Sequence, residues 1–345
     1  MSTPTIPAGN LFMNATLYTG TSAAQSITNG VAGQSFQPDM VWCKSRSGAY
    51  DHGINDVVRG AGNTVIPDTT NAEQAWSAYF TAFNSNGFSV ASNGGTFNLS
   101  GTTYVGWQWK AGGTAVSNTS GTITSSVSAN TTSGFSVVTY TGTGSNATVG
   151  HGLGVAPAMI IAKSRSGTTD WNVYHSSLGA TQAIYLNRTT AAQTSSAFWN
   201  NTAPTSTVFS LGNGTDINAS GATNVAYCWA PIAGYSAFGS YTGNGSADGP
   251  FIYTGFRPKF FLLKRSDTGS AANWEIYDTS RDPYNQSVNR LSPSTSDAES
   301  SSYALGDILS NGVKIRQTDQ TWNASGGTYI YMAFAENPFK YANAR

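Results

Sequence analysis

Apolar residues along this chain fall in runs of four to eight, bounded by Gly, Pro, Ser, Thr or Asn. That is the pattern of β-strands between turns. Phe135-Ser-Val-Val-Thr-Tyr140, Phe260-Phe-Leu-Leu-Lys264, Tyr104-Val-Gly-Trp107 and Tyr329-Ile-Tyr-Met-Ala-Phe334 are of this kind. Val41-Trp-Cys43 and Met159-Ile-Ile-Ala162 lack strict alternation, which predicts central strands covered on both faces. Helical signals are sparse. Asn71 to Trp76 and Ser296 to Ser300 predict single turns at most.

The runs recur in three ordered copies. Tyr18-Thr-Gly20, Tyr140-Thr-Gly142 and Tyr241-Thr-Gly243 open them, and a proline-led apolar run then ends at Lys44, Lys163 and Lys264. A basic residue follows closely at Arg46, Arg165 and Arg265. His52 to Arg59, Trp171 to His175 and Trp274 to Arg281 correspond, as do Asn86 to Val90, Thr207 to Leu211 and Asn311 to Ile315. Each copy closes on Asn-x-Ser-Gly (Asn98, Asn218, Asn323), with Trp109, Trp229 or Phe334 eight residues past the glycine. A period near a hundred residues exceeds a solenoid unit, so each copy is large enough to be a domain. The expected fold is all-β: three tandem β-sandwich, jelly-roll-like modules. They span 1–113, 114–234 and 235–345, with 114–134 a linker or an added strand and a C-terminal tail on the third.

Composition narrows the function classes. Lys+Arg and Asp+Glu are 17 each and charged residues are 10% of the chain, against roughly 25% in ordinary domains. Aromatics at 12% argue against disorder. Charge balance argues against nucleic acid and against a polybasic membrane anchor. No apolar run approaches the ~18 residues that span a bilayer. The opening MSTPTIPAGN lacks the basic and apolar regions of a secretory signal, which fits a chain made in a cytoplasm. Cys43 and Cys228 make no disulfide framework and are expected to be buried thiols.

Catalytic signatures do not assemble. There is no G-x-S-x-G or phosphate-binding loop, and Gly150-His-Gly-Leu-Gly154 reads as a turn. His52, His151 and His175 lack metal-ligand spacing. Glycoside cleavage needs two placed carboxylates, and the candidates are Glu73, Glu275, Asp278, Glu299 and Asp307. Asp56/Arg59 and Asp278/Arg281 are either buried bridges or ligand clamps; the second copy carries His175 and Leu178 there instead. Lys44, Lys163 and Lys264 are expected to bury their stems and solvate their heads. Aromatics shared by all copies are expected in cores. Trp76, Tyr79, Phe80 and Trp199 are not shared, which makes them candidates for contact with a glycan or a neighbouring subunit. The expectation is a protein without catalysis, cofactor or metal.

The order Tyr18-Thr-Gly20, Phe36-Gln-Pro-Asp-Met-Val-Trp-Cys-Lys44-Ser-Arg46, Asp56-Val-Val-Arg59-Gly60, Asn86-Gly-Phe88 and Asn98-Leu-Ser-Gly101 through Tyr104-Val-Gly-Trp107-Gln-Trp109-Lys110 resembles a family of tailed-phage virion proteins with tandem β-domains. The resemblance implies a non-enzymatic virion structural protein, made in the host bacterial cytoplasm. Its expected place is a tail fibre, spike or other peripheral appendage contacting the host surface. The alternatives are a capsid decoration or head-fibre protein, a polysaccharide-degrading tailspike and a free-standing carbohydrate-binding module. Implied partners are other virion proteins, copies of the chain (a trimer is favoured) and a host surface glycan, with no nucleic acid and no membrane insertion. Met1 to Pro7 or Phe339 to Arg345 is the expected dock onto another virion protein.

Overall fold

The structure, a computed structural model, describes residues 9–30, 34–268 and 272–336; both expected docking termini, 1–7 and 339–345, lie outside them. The fold is all-β and antiparallel. In the first module Met13–Thr19, Thr103–Trp109, Met40–Ser45 and Gly53–Asp56 form one sheet in that spatial order, faced by Gln25–Thr28, Gly87–Val90 and Phe80–Asn84. The third repeats this with Ser236–Thr242, Thr328–Ala335, Pro258–Arg265 and Trp274–Asp278, faced by Phe251–Tyr253, Gly312–Ile315 and Gly306–Leu309. First strand pairs with last and second with second-last, the nesting of a jelly roll.

The second module is extended. Ser125–Asn130 pairs with Phe135–Thr141, and Val116–Asn118 pairs with Ser125–Asn130 in turn. The segment 114–134 is therefore added strand rather than linker. Where the first and third modules put a third strand in the facing sheet, the second has a single helical turn, Ser196–Trp199. Asn71 to Trp76 and Ser296 to Ser300 are not helical. They run extended against a neighbouring module, with Glu73 N donating to Arg165 O and Glu299 N to Arg46 O.

Two-sided burial of the central strands explains the arrangement. Along Met40–Ser45, Met40 and Trp42 enter one core while Val41 and Cys43 enter another. Along Met159–Ser164, Met159 and Ile161 part likewise from Ile160 and Ala162. Period-2 alternation thus sorts residues between two apolar spaces rather than between core and water. One space lies inside the module. The other is common to all three modules and contains Trp42, Trp107, Trp109, Trp171, Trp229, Trp274 and Phe334. At its centre the Trp109 ring lies 6.1 Å from Trp229 and 5.8 Å from Phe334. The three modules thus share an apolar space: each leaves a second apolar face that packs against the other two.

Candidate functional site

The repeated motifs are structural clamps. Tyr18, Tyr140 and Tyr241 donate their hydroxyls to the carbonyls of Phe97, Ile217 and Trp322, each one residue before the motif asparagine. Asn98, Asn218 and Asn323 reach back: Oδ1 accepts from the backbone N of Thr21, Thr143 and Asn244. A Cβ on Gly20, Gly142 or Gly243 would stand 2.2, 2.4 or 2.2 Å from a carbonyl oxygen, so glycine is required where the two motifs meet.

The loops following the Asp/Arg position form a closed wheel, module one onto two, two onto three and three onto one. Lys163 Nζ donates to Thr70 O, Lys264 Nζ to Thr189 O and Lys44 Nζ to Ser296 O, at 3.1–3.2 Å. Ring N–H groups repeat the pattern: Trp171 donates to Ile66 O, Trp274 to Tyr185 O and His52 Nε2 to Ser292 O. The lysine heads are buried, not solvated as expected. Burial pulls their pKa down, to about 8 for Lys44 and Lys163 and about 7 for Lys264.

Charges couple two of the three interfaces. Arg165 makes a bidentate contact to Glu73 at 2.8–2.9 Å, and Arg59 bonds the same carboxylate at 2.8 Å. Arg46 and Arg281 hold Glu299 in the same way. At the third interface Ala192 and Ser266 replace the pair and keep only the backbone bond. The basic residue matching Arg46 and Arg165 is thus missing, since Arg265 sits one position earlier and pairs with Asp267. The Asp/Arg pairs read the same wheel. Tyr227 of module two donates to Asp56 at 2.8 Å, and Trp107 Nε1 of module one to Asp278 at 3.0 Å. Met332 occupies the third such position, and across that interface His175 bonds a backbone carbonyl, Tyr331 O. Apolar Met332 offers nothing to a buried ion pair, so the pair is absent where its partner is.

The candidate acids are committed. Glu73, Glu299 and Asp278 sit in these bridges, Asp307 pairs with Arg316 and Glu275 with Arg290. Burial raises the Glu275 carboxyl to about 7. Among the described residues no group of three His, Cys, Asp or Glu is placed to hold a metal ion. Cys43 and Cys228 are buried free thiols.

The four aromatics singled out from the sequence divide. Phe80 is fully buried within the first module, stacked 5.5 Å from Phe88, and Trp199 is 1% exposed against Tyr174. Neither meets a glycan or a subunit: a strand and a helical turn at matching places roll both rings inward. Trp76 and Tyr79 instead line an open cleft of about 240 Å³ with Asn93, Gly94, Gly95 and Thr96. Their rings are 6.1 Å apart and perpendicular. A larger cleft, about 350 Å³, is lined by Ser117, Thr124, Ser126, Thr139 and Arg165, but it has no aromatic platform beyond Tyr140, and Arg165 is held by Glu73.

A family model described as a domain of unknown function, DUF7483, matches residues 8–338. The chain belongs to that family. The match runs through all three repeats as one unit, in keeping with their common core. No curated protein matches the chain. Among the described residues no helix is long and apolar enough to cross a membrane.

Proposed function

We propose that this DUF7483 chain is a non-enzymatic structural protein of a tailed-phage particle, part of a tail fibre, spike or other appendage facing the host surface. The observation that carries the reading is the ordered series of motifs from Tyr18 to Lys110, with its resemblance to tandem β-domains of such virion proteins. Supporting it, the repeated residues serve construction: they clamp loops, fill a shared core and lock three modules into a ring. A surface poor in charge resists non-specific adhesion and leaves attachment to shape, stacking and avidity. The favoured assembly is a homotrimer made in the bacterial cytoplasm and incorporated into the virion, with other virion proteins as neighbours.

Imaging of an intact particle carrying this chain, tagged at a terminus, tests the reading. Density on a tail appendage is expected. Density at head lattice points would replace it with a capsid decoration role, and absence from purified particles would overturn it. Light scattering tests the trimer, which requires three times the 36.1 kDa chain mass.

A further inference from the structure

We infer that the cleft of the first module binds a neutral sugar ring, with the indole of Trp76 as its platform; the appendage reading supplies only the expected source, a host surface glycan.

Eight of the nine tryptophans, at positions 42, 107, 109, 171, 199, 229, 274 and 322, are exposed by 1% or less. Trp76 alone is partly exposed. A chain that buries every other indole leaves this one at an open cleft, beside the partly buried Tyr79. Among the described residues, Trp76 Nε1, the Tyr79 hydroxyl and Asn93 Nδ2 have no hydrogen-bond partner within the chain. They are free to meet ring hydroxyls. No acid, lysine or arginine lines the cleft, so nothing there neutralises a charged ligand, and an uncharged one loses no counter-charge on entry.

The other modules lack this arrangement. Counting back from Asn98, Asn218 and Asn323, Gly94-Gly95 corresponds to Gly214-Thr215 and Asp319-Gln320. A Cβ on Gly94 would stand 2.6 Å from the Tyr79 ring, and one on Gly95 2.3 Å from the Tyr50 ring, so the paired glycines let these rings lie against backbone. Elsewhere the chain covers its own aromatics: Arg188 lies 5.1 Å from the Tyr185 ring centre, and Arg290 lies 5.4 Å from both Tyr303 and Trp322. No guanidinium covers Trp76 or Tyr79 among the described residues. The volume is below the roughly 300–1,000 Å³ of drug-sized pockets, so the occupant is one ring at a time, and tight attachment requires several copies.

The test titrates the full chain with neutral hexose and N-acetylhexosamine oligosaccharides, and with sialylated or phosphorylated ones. Tryptophan fluorescence under acrylamide is read, since Trp76 is the indole the quencher reaches. Saturable protection by a neutral oligosaccharide is expected, at least tenfold weaker in Trp76→Ala and retained within about fivefold in Trp76→Phe. Trp76→Ala and Trp76→Phe both lack the reporting indole, so their affinities are read by calorimetry. Should Trp76→Ala misfold, Asn93→Ala, at the exposed rim of the same cleft, removes the Nδ2 donor without touching the core and also weakens binding. The inference falls if no neutral oligosaccharide protects, if only charged ones do, or if binding survives both substitutions in folded protein. Sugar binding by a chain absent from particles would sink the appendage reading and leave this one standing.

Discussion

The hydroxyl of Tyr227 is a single-atom probe of the wheel. It donates to Asp56 Oδ2 at 2.8 Å and accepts from Arg59 Nη2 at 3.0 Å, across the boundary between two modules, and all three side chains are buried. Tyr227→Phe deletes two hydrogen bonds to charged groups, each worth about 1.5–3 kcal/mol. Asp56 and Arg59 keep each other, and Arg59 keeps Ile54 O, so the lower part of that range applies and the expected loss is about 3 kcal/mol. Breaking into a buried pair costs more than the pair's net worth, because the charges stay behind. The control is Met332→Leu, at the matching place in the interface without a pair. A volume-conserving apolar exchange there costs less than about 1.5 kcal/mol. Denaturant unfolding with a common slope measures both. The shared core requires one transition in which all three modules melt together. A Tyr227→Phe loss under about 0.5 kcal/mol, or separate transitions for separate modules, would refute the reasoning.

Burial lowers the His175 pKa to about 4, and its Nε2–H donates to Tyr331 O while Nδ1 accepts from Ser177 N. As pH falls below the ordinary value near 6.5, the unfolded chain takes the proton first and the folded one does not until about 4, so stability drains across that window. Burial of Glu275, raised to about 7, works in the opposite direction between 7 and its ordinary value. The readout is therefore the difference between wild type and His175→Gln: wild type should lose up to ~3 kcal/mol relative to the variant from pH 6.5 to 4, and a constant difference would contradict this. Burial pushes the Cys43 thiol up to about 12 and Cys228 higher still, so neither should react with a disulfide reagent at pH 8 until denaturant is added; stoichiometric labelling of native protein would show the thiols exposed. Residues 114–234 produced alone should fail to give a soluble monomer with native near-ultraviolet dichroism, because Phe135, Met159, Tyr227 and Trp229 lose their cover; such a monomer would support the independent-domain reading.

Much of this molecule was written locally. Strand runs are legible because a strand's period is two and its turns need Gly, Pro and Asn. The threefold copying is legible because the clamps need the same tyrosine, glycine and asparagine each time. The two-sided burial of Val41-Trp-Cys43 and Met159-Ile-Ile-Ala162 could also be read, but not what covers the second side. Coupled changes could have pointed to it: the copy without Glu73 or Glu299 carries Ala192, and the copy it leans on has Ser266 where the others have arginine. Burial of the three lysine heads, the inward turn of Phe80 and Trp199, and the exposure of Trp76 were decided by the tertiary structure alone. The lysine heads depend on which surface of a module meets the next, through contacts 75, 93 and 252 positions apart; the aromatics depend on how the strands and loops of their own module pack, and neither is within the reach of a local period.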